Sequence, residues 1–240
     1  IGYAVGGSGD AEYRARALEA TPTGTRFDLV RDAVVVARPD APLHGRHNVA
    51  NALAGIAVLE SRGVATGEIV AALAHYAGVK RRQEVRGEAD GVTVIDDFAH
   101  HPTAVRETLA AMRARYPGRR VIAVFEPRSN TSRRTIFHSA YAGAFGDADQ
   151  VVVAEVEDTP IYSVTGEVSE RFSAQRLASD LRRGGAEAVA LDGVDAIVDH
   201  LVGVHAPGDV VVTLSNGAFG ALWERLLDRL GAVAVEADPV

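Results

Sequence analysis

Four short polar segments, each directly after a run of apolar residues, hold side chains that could bind phosphates, carboxylates and amines. They are Asp96–Pro102, Glu126–Thr131, Glu155–Asp158 and Ser215–Gly220. The apolar runs predict buried parallel strands, and ligands bind outside the carboxyl ends of such strands. We therefore expect these segments to lie along one edge of a sheet and to form a site there.

The first segment offers two adjacent carboxylates and two adjacent imidazoles. Asp96 and Asp97 point to opposite sides of a strand, so they make a poor general acid/base pair. One of them could accept hydrogen bonds from ribose hydroxyls, or could cap the helix predicted to begin near Pro102. His100 and His101 could bond to an anionic substrate or simply pack before that proline. We predict no metal site, because consecutive histidines rarely converge on one ion.

The second segment carries one cation among neutral polar groups. Arg128 follows a predicted buried strand and is flanked by Ser129 and Asn130. A guanidinium can hold a carboxylate through two parallel hydrogen bonds, so these three residues are candidates for binding an acidic substrate. The alternative is an ordinary ion pair between Arg128 and a neighbouring acid such as Glu126.

The last segment is a predicted strand-to-helix turn. Free backbone N–H groups at such a turn favour anions, which makes Ser215 and Asn216 candidate substrate contacts. Ser215 lacks the GxSxG context of a nucleophilic serine, so a serine hydrolase is excluded.

Two further pairs of candidate residues lie outside these segments. Arg81 and Arg82 separate two differently patterned regions, and they could form a solvated hinge or a clamp for phosphate. Asn48 and Asn51 are three residues apart on a predicted helix, so their amides share a face. They could contact the edge of a heterocycle, although asparagine is also common at helix starts.

Composition narrows the class of protein. The 240 residues include 25 Lys and Arg and 32 Asp and Glu, and the net charge of −7 argues against a nucleic-acid-binding face. There is no cysteine, hence no disulfide and no thiolate metal site. No apolar run reaches the roughly 20 residues that a membrane-spanning helix needs, and no signal peptide is recognisable. We expect a cytoplasmic protein.

Two features predict that the chain is part of a longer protein. It starts with Ile1 rather than Met, and its one lysine, Lys80, does not lie in a GxxxxGK[ST] phosphate-binding loop.

The first 43 residues favour short strands. Arg26–Val30 and Ala33–Ala37 flank a turn and predict a hairpin, which we expect to be a β edge without a sheet of its own. Helical periodicity begins at Asn48, and Thr66 is predicted to cap a second helix that ends at Gly78.

Beyond about residue 83, apolar strands alternate with amphipathic helices. Strands are predicted at residues 92–95, 121–125, 151–154, 188–191 and 210–214, and helices at 103–115, 133–145, 170–183, 194–202 and 219–230. The alternation predicts an α/β fold: a Rossmann-like, mostly parallel sheet with helices on both faces, preceded by the β edge and the helical pair. We place the domain boundary between 1–82 and 83–240.

Three runs of residues, taken in order, resemble the Mur ligase family, ATP-dependent amide-forming enzymes of bacterial cell-wall metabolism. They are Gly45–Leu53, Gly78–Arg82 and Asp96–Thr103. The resemblance implies that residues 1–82 are the C-terminal tail of a central ATP-binding domain and 83–240 a C-terminal domain for the amine substrate. It also implies that a UDP-sugar domain, the phosphate loop and the Mg²⁺ ligands lie outside this chain.

The resemblance assigns roles to the candidate residues. Asn48 and Asn51 would contact the adenine of ATP, His47 would lie beside the nucleotide, and Asp97 would hold the ribose. Arg82 would reach the γ-phosphate as a catalytic residue. The residues implied to bind the amine substrate are His100, His101, Arg128, Ser129, Asn130, Ser215 and Asn216.

Within the family, Phe125–Thr131 and Ser215–Gly220 look most like the members that join UDP-N-acetylmuramate to the tripeptide L-Ala-γ-D-Glu-meso-diaminopimelate in peptidoglycan recycling. Members that add L-alanine typically read Pro-His-Arg-Tyr where this chain has Pro127–Asn130. We therefore expect the tripeptide-adding reaction, through an acyl phosphate, with this chain inactive alone. The alternatives are the L-alanine-adding reaction and a non-catalytic module that binds a peptide or a nucleotide.

Overall fold

The structure is a computed structural model that describes residues 2–6, 11–156, 162–163, 166–167 and 170–231. The chain divides into two compact units, which we describe separately. Unit 1 comprises residues 1–78 and 110–117, and unit 2 comprises residues 79–109 and 118–240.

Unit 1 contains a five-stranded sheet. Its strands are β1 (Tyr3–Val5), β2 (Tyr13–Thr21), β3 (Gly24–Arg31), β4 (Val34–Ala37) and β5 (Asp40–Ala41), in the order β1-β2-β3-β4 with β5 also beside β3. The predicted hairpin is confirmed as β3 and β4. Its turn residues both have positive φ, as two-residue hairpin turns of type I′ require. The expectation of a β edge without its own sheet was wrong, because β2 pairs with β3 along almost its whole length.

Two helices pack on this sheet, α1 (Arg46–Ser61) and α2 (Thr66–Ala74). The shared core buries Tyr13, Ala15, Phe27, Leu29, Ala41, Val49, Leu53, Ile56, Ala57 and Ile69. Thr66 is the first residue of α2 rather than its cap, because its hydroxyl donates to the carboxylate of Glu60. The helix ends four residues before the predicted Gly78.

Unit 2 is built on a six-stranded sheet. Its strands are β6 (Glu84–Ala89), β7 (Val92–Asp97), β8 (Val121–Phe125), β9 (Gln150–Ala154), β12 (Glu187–Leu191) and β13 (Val210–Leu214), while β10 (Tyr162–Ser163) and β11 (Gly166–Glu167) form a separate pair. The order is β12-β9-β8-β13-β7-β6. The first five strands run parallel, and β6 pairs antiparallel with β7 at the edge.

Helices cover both faces of this sheet. They are α3 (Pro102–Arg115), α4 (His138–Ala142), α5 (Ala174–Arg183), α6 (Val194–Val204) and α7 (Leu222–Arg229). Side chains alternate along each strand, so Ile122 and Val124 pack in the core that includes α6 and α7. Phe125 meets the ring of Tyr141 on α4. The predicted α/β fold with a mostly parallel, doubly covered sheet is confirmed.

The predicted helix over residues 133–145 was wrong for its first half. Thr135–Phe137 form a 3₁₀ turn, and only His138–Ala142 are α-helical. Arg133 and its neighbours use their backbone groups elsewhere: the Arg133 N–H donates to the Ser129 carbonyl, and the Arg133 carbonyl accepts from Phe172. These tertiary hydrogen bonds replace the helical ones.

Two other helices start later than predicted. α5 begins at Ala174, because the hydroxyl of Ser173 accepts from the N–H of Arg176 and caps the helix there. α7 begins at Leu222, because Phe219, Gly220 and Ala221 all adopt positive φ and form a left-handed turn.

Candidate functional site

The carboxyl ends of three neighbouring strands meet in the middle of the unit 2 sheet. Leu214 at the end of β13 pairs with Asp97 of β7 on one side and with Phe125 of β8 on the other. The segments after these strands therefore lie side by side, as predicted. Glu155 follows the next strand, β9, and the remainder of its segment, Glu157 and Asp158, lies outside the described residues.

Arg81 fastens two of these strand ends together. Its Nε donates to Asp96 Oδ2 at 3.1 Å, and its Nη2 donates to the carbonyls of Ser215 and Gly217 at 2.8 and 2.6 Å. Asp96 also accepts from the hydroxyl of Thr213. Arg81 is therefore a partly buried connector inside unit 2, a role that its sequence position between two regions did not reveal.

Arg82 differs from Arg81 in its exposure and in its hydrogen bonding, although both guanidinium groups lie over the ring of Phe98. It is exposed, its guanidinium carbon lies 5.3 Å from the ring centroid of Phe98, and its guanidinium makes no hydrogen bond or ion pair with any residue that the structure describes. Arg81 and Gln83 on either side both have positive φ. With this backbone the Gln83 side chain is buried, Arg81 reaches Asp96, and the guanidinium of Arg82 is exposed.

Asp97 is a buried carboxylate with three donors. Its exposure is 3%, and it accepts from the N–H of Gln83 at 2.8 Å, the N–H of Ala99 at 2.7 Å and the hydroxyl of Thr108 at 3.3 Å. Burial raises the pKa of the Asp97 carboxyl, although the two backbone donors oppose that shift. The carboxylate thus fixes the turn after β7.

His100 and His101 are held differently. Nδ1 of His100 lies 3.0 Å from the Phe98 carbonyl, and the His100 carbonyl accepts from the hydroxyl of Tyr141. His101 is exposed, with its ring centroid 4.6 Å from that of Phe137. In the part of the chain that the structure describes, no three His, Asp or Glu side chains are placed to hold a metal ion.

The turn after β13 carries one polar atom with no partner. Ser215 is 1% exposed; its hydroxyl donates to the carboxylate of Glu126 and accepts from the N–H of Gly217 at 2.9 Å. The side-chain oxygen Oδ1 of Asn216 is buried, and no described residue donates to it. A buried acceptor without a donor costs free energy, so a ligand donor is an obvious complement.

Arg128 lies across this same turn. A Cβ at Gly217 would approach Arg128 Nε to 2.6 Å, so the side chain packs where only glycine leaves room. Arg128 is exposed, and among the described residues nothing hydrogen-bonds or ion-pairs with its guanidinium. The alternative pairing with Glu126 is therefore not formed. The apposition of Arg128 and Gly217 could not be read from sequence, because the two residues are far apart in the chain.

The two polar neighbours of Arg128 behave unequally. The hydroxyl of Ser129 donates to that of Ser132 at 2.8 Å and accepts from the Ser132 N–H at 3.0 Å, so it stabilises its own loop. Asn130 is exposed.

In unit 1, the predicted nucleotide residues lie at the start of α1. Asn48 donates from Nδ2 to the His44 carbonyl at 2.9 Å, and Asn51 lies 3.5 Å from the Asn48 side-chain oxygen. The two amides thus share a face, as their spacing predicts. Gly45 has a φ of +90°, and a Cβ there would lie 3.0 Å from the ring of His47.

None of the helices in the described residues is long and apolar enough to cross a membrane.

A family model described as "Mur ligase, glutamate ligase domain" matches residues 81–217, more than half of the chain. The chain belongs to the Mur ligase family. The matched segment of this Mur ligase chain includes Arg82, Asp97, Arg128 and the turn after β13.

Individual relatives of this Mur ligase chain differ in their amine substrate. The UDP-N-acetylmuramate--L-alanyl-gamma-D-glutamyl-meso-2,6-diaminoheptandioate ligase of Escherichia coli K12 is 37% identical over 223 residues, which are 92% of this chain and 46% of the relative. A UDP-N-acetylmuramate--L-alanine ligase from Gloeobacter violaceus is 37% identical over 229 residues, 95% of this chain and 48% of the relative. The chain thus spans about half the length of these curated relatives.

A solved structure supports the same family and the same fold. The murein peptide ligase from Psychrobacter arcticus is 30% identical, with a TM-score of 0.65, and the match covers 94% of this chain and 45% of that one.

Proposed function

We propose that this chain is the C-terminal part of an ATP-dependent ligase that joins UDP-N-acetylmuramate to the tripeptide L-Ala-γ-D-Glu-meso-diaminopimelate in the cytoplasm. Residues 1–82 belong to its ATP-binding domain and residues 83–240 to its amine-substrate domain. The observation that carries the proposal is the guanidinium of Arg128, unengaged by any described residue and seated across Gly217 at the carboxyl edge of the sheet.

The tripeptide fits this guanidinium better than L-alanine does. The tripeptide carries several carboxylates, whereas L-alanine carries one, and a planar guanidinium binds a carboxylate through two parallel hydrogen bonds. Asn130, His101 and Asn216 lie on the same strand-end segments and supply neutral or titratable groups for the rest of the peptide. Ser129, Ser215 and His100 already bond within the domain, so their proposed contribution is to shape these segments.

ATP would supply the phosphoryl group that activates the muramate carboxylate for attack by the amine. Among this chain's residues, Arg82 fits the phosphate end, because its guanidinium is exposed and no described residue hydrogen-bonds or ion-pairs with it. Neutralising the transferred phosphoryl group is the main catalytic task in such chemistry.

Asn48 and Asn51 are the proposed adenine contacts, His47 is the residue proposed to lie beside the nucleotide, and Asp97 is the proposed ribose contact. Asp97 already accepts three hydrogen bonds, so it would contribute its remaining lone pairs. The Mg²⁺ ligands are proposed to lie elsewhere in the complete enzyme, because no suitable cluster occurs among the described residues.

The second candidate is the L-alanine-adding reaction. It is favoured by the Gloeobacter violaceus relative, which is as similar to this chain as the Escherichia coli one. The amine substrates of the two candidate reactions carry different numbers of carboxylates. The residues after β8, which include Arg128, are therefore the ones proposed to distinguish the two substrates.

The deciding experiment gives the complete protein a choice of amine. The longest reading frame containing these residues is expressed and supplied with ATP, Mg²⁺, UDP-N-acetylmuramate and equal concentrations of tripeptide and L-alanine, and products are identified by mass. We expect the tripeptide adduct to predominate. Predominant L-alanine adduct would establish the second candidate, and nucleotide or peptide binding without any adduct would establish a non-catalytic module.

A matched control uses the 240 residues alone. No phosphate-binding loop occurs in their sequence, so we expect neither ATP hydrolysis nor amide formation. Turnover by the isolated chain at a rate of about 1 per second, typical of enzymes, would contradict the proposal that catalysis needs the rest of the enzyme.

A further inference from the structure

In unit 2, the loop after β8 and the loop after β13 contact each other at two places. Each contact involves a charged side chain. The carboxylate of Glu126 accepts a hydrogen bond from the hydroxyl of Ser215. Arg128, two residues further along the chain, lies against Gly217. Asn216 lies between Ser215 and Gly217 in the chain, and its side-chain oxygen is buried without a donor among the described residues. A carboxylate, an unpaired amide oxygen and a guanidinium are thus brought to one short stretch of the sheet edge.

The carboxylate of Glu126 has spare accepting capacity. The Ser215 hydroxyl bonds to Oε2, and no described residue donates to the other oxygen, Oε1. A carboxylate has about four lone-pair positions, so one hydroxyl leaves most of them unused. The nearby Arg128, which could have neutralised Glu126, forms no ion pair with it in the described structure. The opposite charges of Glu126 and Arg128 contact successive parts of the same turn without pairing with each other, and they are complementary to a ligand that carries both.

An amine substrate of the proposed ligase carries both charges. A free amino acid, or a peptide with a free amino group, has an ammonium group that can only donate hydrogen bonds and a carboxylate that can only accept them. Glu126 and the side-chain oxygen of Asn216 can only accept, whereas Arg128 can only donate. The hydrogen-bonding capacities therefore match without any rearrangement of the Ser215 contact.

We propose that Glu126, with the side-chain oxygen of Asn216, receives the ammonium group of the amine substrate while Arg128 receives a carboxylate of the same molecule. This inference rests on the proposed function and adds Glu126 as a substrate-binding residue. The ligand class is a zwitterion, either a free amino acid or a short peptide with a free amino group. The hydroxyl of Ser215 positions the Glu126 carboxylate for that contact.

The test is a binding cycle on the 240-residue chain. Wild type and Glu126→Gln are titrated with the L-Ala-γ-D-Glu-meso-diaminopimelate tripeptide and with the same tripeptide after acetylation of its amino groups, followed by backbone amide NMR. Glutamine retains an acceptor for Ser215 but loses the charge. We expect free tripeptide to shift the signals of residues 126–128 and 215–217, and Glu126→Gln to weaken its binding by about tenfold. Acetylated tripeptide should bind both proteins equally.

Matched controls separate a substrate contact from a general loss of charge or structure. Glu187→Gln makes the same chemical change at the start of β12, at the opposite end of the sheet, and should leave binding unchanged. Glu126→Gln should also keep the wild-type amide spectrum in the absence of ligand.

Three results would overturn the inference: no shift of the two loops with the tripeptide, no effect of Glu126→Gln, or an equal effect on free and acetylated tripeptide. Failure of the proposed function looks different. If the complete protein forms no amide while the binding cycle shows the expected coupling, the ligase proposal fails and the zwitterion site stands. If amide forms but Glu126→Gln binds like wild type, the zwitterion site fails alone.

Discussion

The guanidinium of Arg81 donates to the carboxylate of Asp96 across 3.1 Å, and that contact links the residues before β6 to the end of β7. The side chains of Arg81 and Asp96 are 31% and 7% exposed, so the pair is shielded from water on the Asp96 side. Arg82, one residue later, is exposed. Because Arg81 is hydrogen-bonded within the domain and Arg82 is exposed, we expect substitution of Arg81 to affect stability and substitution of Arg82 to affect turnover.

Arg81→Ala should destabilise unit 2. The substitution leaves the Asp96 carboxylate with the Thr213 hydroxyl and removes the donor to two carbonyls. Because one partner of a largely buried pair is lost, we expect the free energy of unfolding to fall by about 2 kcal/mol, whereas Arg82→Ala changes it by less than about 0.5 kcal/mol. Urea unfolding followed by the fluorescence of Trp223 measures both. Equal effects would show that the Arg81 contacts contribute nothing.

Arg82→Ala should act on turnover instead. If Arg82 neutralises the transferring phosphoryl group, its removal from the complete enzyme lowers kcat by about a hundredfold or more, with the fold intact. Steady-state phosphate release with saturating ATP gives the value. A variant with nearly wild-type kcat would return Arg82 to the role of a solvated surface residue.

Gly217→Ala should separate binding from stability. A Cβ at this position would meet Arg128 Nε at 2.6 Å, and the guanidinium end of a flexible side chain can move away. We therefore expect tripeptide binding to weaken by about tenfold, while the free energy of unfolding changes by less than about 1 kcal/mol. Gly146→Ala is the control, because a Cβ there has open space around it. Unchanged tripeptide affinity in Gly217→Ala would mean that the observed position of Arg128 is irrelevant to binding.

Arg128→Lys should impair use of the tripeptide although the charge is kept. Lysine lacks the planar fork that makes two parallel hydrogen bonds, so we expect a loss of about 1 to 3 kcal/mol in tripeptide use by the complete enzyme. The ratio of kcat/KM for tripeptide and L-alanine, measured on wild type and variant, checks this. Equal losses for both amines would show that Arg128 does not select between them.

His44 should make unit 1 less stable in mild acid. Burial, assisted by the charge of Arg115, lowers the pKa of His44 to about 4, whereas an unfolded histidine titrates near 6.5. The unfolded state therefore binds a proton that the folded state refuses, so stability is complete above about pH 6.5 and falls as the pH drops towards 4. Because His44 is only partly buried and solvent screens its charge, we expect a loss of about 1 to 2 kcal/mol. Hydrogen-exchange protection of the α1 amides, corrected for intrinsic exchange rates, measures this loss of stability. The His44→Gln variant should show a weaker dependence of stability on pH. An equally steep decline in that variant would assign the pH dependence to other groups.

The central parallel strands of unit 2 could be predicted closely because they are buried on both faces, whereas the half-exposed edge strand β6 was missed. Val121–Phe125 is an unbroken apolar run and Val210–Leu214 is interrupted only by Thr213, and such runs have few alternatives to a covered parallel strand. In unit 1, Tyr13–Thr21 was missed because it interleaves arginine, glutamate and alanine, which are weak strand formers, and pairing with β3 decides its conformation.

The candidate site also has some features that the sequence predicts and others that only the tertiary structure shows. The sequence by itself determined which segments follow the strands, and hence that Asp96, Glu126 and Ser215 lie near one edge, because parallel strands place their carboxyl ends together. Only the tertiary structure decided which polar groups bond to each other and which stay available. Arg81 and Arg82 are chemically identical, yet the left-handed backbone at Arg81 turns one towards Asp96 and leaves the other exposed. That distinction depends on contacts between residues up to 136 positions apart in the chain, such as Arg81 and Gly217, which local sequence preferences do not encode.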